Sequence, residues 1–244
     1  MTQKSSSVEY LYGLNPAFEC MRAGRREVLE AFINEKTATS SRLKTFSRLL
    51  KERGIQLNLT DKGRLHQLSG STEHQNVVLK VSRYPYVTHQ DCLQQERVLL
   101  LDNVEDPHNV GAILRSAEIF GFQHILLPTK GVPEIYPSVS KVSAGAAEFL
   151  NIARDCNAVT YCQKAIDAGY TVAALDAKGK VPLDDFAKDI PTPLLVVIGG
   201  EDKGIGQYIL NNASAVLAIP QSGRINSLNA SVAASLTLYA LRKG

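Results

Sequence analysis

The chain has 244 residues, of which 44% are hydrophobic, and carries 27 Lys and Arg against 24 Asp and Glu, a formal net charge of +3. That is enough apolar material for one large domain or two smaller ones, and the charge is too small to mark a nucleic-acid binder by itself. The four cysteines form no C-x-x-C pair, no zinc-ligand spacing occurs, and neither a secretory h-region nor a run of about 18 apolar residues is present, so a soluble cytoplasmic protein with reduced thiols is expected.

Residues 1–82 read as a small α/β unit. Pro16 to Arg22 suits a helix, VLEAFI a strand, and Ser40 to Arg53 a helix with Leu43, Phe46, Leu49 and Leu50 at helical spacing; IQLNL and NVVLKV follow as strands. The basic excess lies in this half: residues 1 to 96 hold 14 Lys and Arg against 10 Asp and Glu. Arg22, Arg25 and Arg26 cluster there and are candidate RNA contacts, set against the plainer reading of a solvated helix face. Residues 83–96 have no clear period and read as a linker.

From residue 97 to residue 244 strands and helices alternate. RVLLL, HILLP, TVAAL, LLVVIG and AVLAIP are nearly continuous apolar runs, as parallel strands covered on both faces require. Helices are expected at Asn109 to Phe120, Val159 to Ala168, Gln207 to Asn211 and Leu228 to Arg242. In an open α/β sheet the ligand binds beyond the carboxyl ends of the strands. Three polar stretches occupy such ends: DNVEDPHNVGAILRSAEIFG, IGGEDKGIG and IPQSGRINSLNAS.

These loops lack G-x-x-x-x-G-K-[ST], G-x-G-x-x-G and G-x-S-x-G, which argues against a nucleotide-dependent kinase, an ordinary dehydrogenase or a serine hydrolase. Asp102, Asp106 and Glu201 could ligate a metal, yet the two aspartates serve equally well in capping a turn and a helix.

DNVEDPHNVGAILRSAEIFG, VVIGGEDKGIG and IPQSGRINSLNASVAASLTLYAL resemble, in order and spacing, the three motifs of the SpoU family of RNA ribose 2′-O-methyltransferases within the SPOUT superfamily. YGLNPAFECMRAGRREV and EHQNVVLKVS are similar to the substrate-binding domain of bacterial large-subunit ribosomal RNA guanosine 2′-O-methyltransferases. The resemblance implies an α/β fold with a mostly parallel sheet threaded into a trefoil knot, a small α/β substrate-binding domain before it, S-adenosylmethionine as cofactor, RNA as substrate, no metal and a homodimer.

The resemblance also implies a site. Asn109, Arg115, Glu201, Ser227 and Asn229 form the catalytic set, with Arg115 handling the target nucleotide. Gly199, Gly200, Ile219 and Leu228 hold the cofactor, with Ser143, Ala144, Gly145 and Ala146 close by. Arg115 can grip a phosphate through its planar fork, and Asn109, earlier on the same helix, is expected to flank the same ligand. A guanidinium stays protonated, so the proton is expected to leave through a phosphate or a water. Plainer roles stand beside these: an Arg115–Glu118 surface pair, and Ser227 as a helix cap. His108 is a rival base by its titration range and is left outside the set. A transfer RNA substrate, or a noncatalytic RNA-binding protein of the same fold, are the competing functions. The stripe Leu228, Val232, Leu236 and Tyr239, with Ala233, Ala234 and Ala240 on adjacent faces, calls for cover that a second copy would supply.

Overall fold

The computed structural model describes residues 8–224 and 227–243. Ile225 and Asn226 of the third motif, and the amino-terminal residues 1–7, lie outside the described residues. The chain divides into two compact units, one formed by residues up to Pro85 together with Ile135–Phe149, the other by Tyr86–Glu134 and Leu150 onward.

In chain order the first unit runs β1 (Val8–Tyr12), α1 (Leu14–Ala23), β2 (Val28–Asn34), α2 (Ser41–Glu52), β3 (Gln56–Thr60), α3 (Lys62–Ser69) and β4 (Val77–Ser82). Its sheet has the order β1-β4-β2-β3, with β4 antiparallel to both neighbours and β2 parallel to β3. Leu43, Phe46 and Leu50 of α2 and Ala17, Cys20 and Met21 of α1 are buried with Leu79 and Val81 of β4 in one core. The helical spacing in the sequence thus marks the face that packs. Periodicity does not reveal β1 and α3; α3 is short, with only Leu65 buried.

The second unit begins with α4 (His89–Cys92), then β5 (Arg97–Asp102), α5 (Pro107–Ile119) and β6 (His124–Leu126). Thr88 and Asp91 close a capping box on α4, so the stretch expected to be a linker is ordered, and Val87 bridges to Ala153. The chain then supplies α6 (Pro137–Val142) and a 3₁₀ turn (Ala146–Phe149) to the first unit. It continues with β7 (Asn151–Ala153), α7 (Ala158–Asp167), β8 (Thr171–Leu175), β9 (Val181–Pro182), α8 (Leu183–Phe186), β10 (Leu194–Gly199), α9 (Gln207–Asn212), β11 (Ala215–Ala218) and α10 (Ala230–Ala240). The sheet order is β7-β6-β5-β10-β8-β11-β9, and every pairing is parallel.

RVLLL and LLVVIG form the central pair β5 and β10, and their apolar side chains from Val98 to Leu101 and Leu194 to Ile198 are buried, as strands covered on both faces must be. Because β10 lies between β5 and β8, the chain returns to the middle of the sheet after laying down the strands on either side of it, and then crosses to place β11 between β8 and β9. No described helix is long and apolar enough to cross a membrane. Burial pushes the Cys20 and Cys92 thiols up to about 12 and that of Cys162 up to about 11, so these three stay protonated at neutral pH.

The segment Ile135–Phe149 is tied into the first unit by a buried ion network. Arg26, with its side chain 0% exposed, pairs with Glu148 at 3.3 Å and with Glu9, and donates to the Ser82 carbonyl at 3.0 and 2.8 Å. Arg26 is therefore corrected from an RNA contact to an internal cation: its donors are spent inside the fold. Arg25 is half-buried, and Arg22 is exposed and paired with Glu19 at 2.8 Å.

Candidate active site

The loops that follow β5 and β10 interlock. Gly200 N donates to the Asp102 carbonyl at 2.9 Å, Asn103 Nδ2 to the Gly204 carbonyl at 3.2 Å, and Gly206 N to Asp102 Oδ2 at 2.8 Å. The approach is so close that a Cβ on Gly200 would lie 1.9 Å from the Asn103 carbonyl oxygen. Asn103 itself takes a left-handed φ of 55°. Burial raises the Asp102 carboxyl above the ordinary carboxylate range, the Gly206 hydrogen bond opposing. Asp106 caps α5 by accepting from His108 N at 2.9 Å, so for this aspartate the capping role is the one realised.

At the start of α10 the cap is Asn229, whose Oδ1 accepts from Ser231 N at 3.0 Å and Val232 N at 3.3 Å. This corrects the reading of Ser227 as the cap: the helix begins at Ala230, three residues beyond it. The Asn229 amide turns the other way, donating to Asn109 Oδ1 at 3.0 Å and to Glu201 Oε1. Asn109 Nδ2 also donates to Glu201 Oε1, at 3.0 Å, and Ala230 N reaches the same oxygen at 3.3 Å. Three chain-distant loops thus converge on one carboxylate oxygen. Glu201 Oε2 has no partner among the described residues.

Two clefts share Gly200 and Glu201 as a common wall. The first, about 760 Å³ including the solvent at its mouth, lies beyond the carboxyl ends of β8, β10 and β11. It is lined by Ile198, Ile205, Ile219 and Leu228 together with Gly199, Ser227 and Asp176. The second, about 580 Å³ on the same measure, is polar and lined by Asn103, Glu105, Asp106, Asn109, Asp202 and Asn229 among others. In the first, apolar sides suit a purine, small residues admit close backbone contact, and Glu201 and Asp176 with no lysine or arginine in the described lining suit a positively charged ligand.

Of the expected site residues, Gly199, Gly200, Ile219, Leu228, Glu201 and Ser227 line the first cleft, and Asn109 and Asn229 the second. Ser143, Ala144, Gly145 and Ala146 do not: they belong to the first unit, where a Cβ on Gly145 would meet Glu19 Cβ at 2.7 Å. Arg115 does not join the Asn109–Glu201–Asn229 cluster either. Six residues on a helix turn the side chain about 120° away and about 9 Å along, so Arg115 leaves α5 from a different face than Asn109. Arg115 is exposed, and its charge pairs with no carboxylate among the described residues, Glu118 included. Leu175, Asp176 and Ala177 also line the first cleft and are not expected from the motifs; the end of the apolar run TVAAL at a polar DAKG is the sequence signal that marks them.

Among the described residues His89, Asp155 and Cys156 are the group whose ligand atoms lie within 4.8 Å of one another. His89 Nδ1 there is engaged with Asp155 Oδ2 at 2.8 Å, and Tyr161 OH holds the other Asp155 oxygen at 2.9 Å.

An all-parallel α/β unit with a two-part cleft at its strand ends carries its ligand site where open α/β sheets place one, and a separate small α/β unit accompanies it. The comparisons with known proteins agree. Residues 96–239 match the model of the SpoU rRNA Methylase family and residues 10–87 that for RNA 2′-O ribose methyltransferase substrate binding, and the chain belongs to the SpoU family of RNA methyltransferases. A protein of Mycolicibacterium gilvum named as an uncharacterized tRNA/rRNA methyltransferase is 32% identical over 243 residues, covering 97% of this chain and 76% of that protein. YacO of Bacillus subtilis, named as a TrmH family tRNA/rRNA methyltransferase, is 31% identical, covering 96% and 95%. Among solved structures, the AdoMet-bound rRNA methyltransferase of Sinorhizobium meliloti superposes with a TM-score of 0.79 at 22% identity, covering 96% of this chain and 87% of that one. AviRb of Streptomyces viridochromogenes, in complex with AdoMet, also gives 0.79 at 22% identity, covering 96% and 89%. At that identity the two structures share the fold.

Proposed function

We propose that the protein uses S-adenosylmethionine to methylate the 2′-hydroxyl of a guanosine in large-subunit ribosomal RNA. The observation that carries this reading is the common wall: an apolar cleft fit for the cofactor and a polar cleft fit for a nucleotide meet at Gly200 and Glu201. When bound, the cofactor supplies a sulfonium methyl for in-line displacement by the ribose oxygen. Ile219 and Leu228 would hold its adenine, and Gly199 and Gly200 would present backbone to it. Glu201 is held by three donors on Oε1, which leaves Oε2 to accept the hydrogen of the 2′-hydroxyl and aim its lone pair. Asn109 and Asn229 fix that carboxylate, so alignment is built before the substrate arrives. Of the carboxylates lining the second cleft, Glu105 is paired with Lys203 and Asp106 caps α5, which leaves Asp202, with no ion pair among the described residues, as the acceptor for the two adjacent donors of guanine's pairing edge.

The protein acts as a homodimer in this reading. Ile119, Val232, Leu236 and Tyr239 are 61%, 47%, 45% and 53% exposed on α5 and α10. The two helices are already joined by a Ser116–Ser235 hydrogen bond of 2.7 Å and a Phe120–Tyr239 edge contact, so they offer one rigid apolar face. Arg115 lies one turn before Ile119 on α5 and keeps its role as the phosphate ligand, at this interface and not beside Asn109. The test is to map ribose methylation across the RNA of cells with and without the gene, and to titrate the protein with S-adenosylmethionine. Loss of one large-subunit guanosine methyl group on deletion is expected; an unchanged ribosomal map with a lost transfer RNA methyl group moves the substrate, and no cofactor binding removes the reading.

A further inference from the structure

The first unit holds an open pocket of about 860 Å³ including its mouth, lined by Lys62, His66, Thr72, His74, Gln75 and Asn76 at the start of α3 and the turn before β4. Lys141 of α6 lies beside it: a Cβ on Gly13 would meet its Nζ at 2.8 Å, and its charge acts on His74. These groups offer donors and almost no acceptors. Lys62, His66 and Lys141 have no ion-pair or side-chain hydrogen-bond partner among the described residues, although Lys141 is half-buried. His74 is 6% exposed and accepts from Asn76 N at Nδ1, 3.0 Å away. That bond leaves the ring hydrogen on Nε2, a donor with no hydrogen-bond partner among the described residues. Burial first, then Lys62 and His66, hold the imidazole below its ordinary titration range, while Glu73 is the carboxylate that opposes them.

The backbone is shaped to keep this arrangement. Gln75 and Asn76 both take left-handed φ, 50° and 65°, which non-glycine residues adopt only when their surroundings fix them. Gln75 Oε1 accepts from Leu14 N at 3.1 Å and Asn76 Oδ1 from Asn34 Nδ2 at 2.8 Å, so both oxygens are turned to the protein and both amide NH₂ groups remain as donors. A donor-rich pocket with a half-buried ammonium beside it that makes no ion pair among the described residues suits an anion.

We propose that this pocket is the first unit's RNA backbone site, taking a phosphodiester of the substrate between Lys62, His66, Lys141 and His74 Nε2. The inference rests on the RNA methyltransferase reading and replaces the Arg22–Arg25–Arg26 cluster, of which Arg26 is internal, as that unit's point of grip. A free phosphate has the same chemistry, and inorganic phosphate is therefore one arm of the test.

The test uses the full chain and two labelled probes, a transcript of large-subunit ribosomal RNA and bulk transfer RNA, with binding followed as salt rises. The double variant Lys62→Glu/Lys141→Met should bind RNA at least tenfold more weakly, and the slope of log affinity against log salt should fall by about 0.7–0.9 for each phosphate that the protein no longer neutralises. S-adenosylmethionine affinity should not change. Lys62→Glu/His66→Glu alters only exposed side chains and keeps the test valid if Lys141→Met unfolds the unit; Arg22→Glu should have the smaller effect. Wild-type RNA affinity in both double variants, or a larger loss from Arg22→Glu, overturns the proposal while leaving the methyltransferase reading intact. Stabilisation by inorganic phosphate through these residues without any change in RNA binding makes the pocket a free-anion site and also overturns it. Failure of the unmodified protein to bind either RNA removes both.

Discussion

Replacing Gly200 by alanine tests the interlocked loops most directly. The added Cβ would stand 1.9 Å from the Asn103 carbonyl oxygen and 2.7 Å from its carbon, both backbone atoms that no rotamer change can move. Ordinary non-bonded separation is about 3.5 Å, so the loops must part by roughly 1.5 Å. That movement breaks or stretches Gly200 N to the Asp102 carbonyl, Gly204 N to the Gly200 carbonyl and Asn103 Nδ2 to the Gly204 carbonyl. At about 1 kcal/mol for each bond, with about 1–3 kcal/mol of overpacking strain, the cost is about 4–6 kcal/mol if all three are lost. For a unit of this size that lowers the melting temperature by about 8–24 °C, and relaxation of the loops moves the result toward the lower end. Because Gly200 lines both clefts, cofactor affinity should fall at least tenfold in the variant that remains folded. Gly223→Ala is the control, since no described residue lies within 4 Å of the position its methyl would take, and it should change stability by less than about 0.5 kcal/mol. Thermal melts and calorimetric titration with S-adenosylmethionine read both effects; a Gly200→Ala protein as stable and as tightly binding as wild type would refute the account of the cleft wall.

Glu201→Gln should keep the fold and cofactor binding, because the amide oxygen can still accept from Asn109 and Asn229, but reduce single-turnover methylation by at least about a hundredfold; retained turnover would remove Oε2 from the chemistry. Arg26→Met leaves Glu148 buried without its cation and should cost about 3–5 kcal/mol in urea unfolding, with the loss confined to the first unit. Asp102→Asn keeps an acceptor for Gly206 N and removes a carboxyl whose pKa is raised by burial. A raised folded-state value means that the wild type loses stability relative to this variant as pH climbs through it, and the two converge at acid pH; urea midpoints between about pH 4 and about pH 8 should show that divergence. Leu236→Asp should shift the sedimentation of the protein toward monomer, and a wild-type protein that is a fully active monomer at micromolar concentration would refute the dimer.

What the sequence determined by itself is what depends on local pattern. Continuous apolar runs such as RVLLL and LLVVIG have to be parallel strands buried on both faces, and polar loops at their carboxyl ends have to carry the ligand site, because that is where the backbone leaves the sheet. Asn109, Glu201 and Asn229 are marked in the sequence by the resemblance of their motifs to the SpoU family, and periodicity alone places them only at the ends of strands and helices. Only the tertiary structure decided where side chains separated by a hundred residues meet. Arg26 and Arg22 look alike in a run of arginines, yet one is sealed against Glu148 by a segment arriving from far along the chain and the other faces water. The same excursion takes Ser143–Ala146 into the first unit, and no local signal distinguishes that path from a loop of the second. Chain proximity suggests that Arg115 and Asn109 share a ligand, whereas the 100° step of the helix sends six-residue neighbours to different faces. Charge and spacing belong to the chain; partnership and burial belong to the packed fold, where desolvation decides which of two similar residues can still act on a ligand.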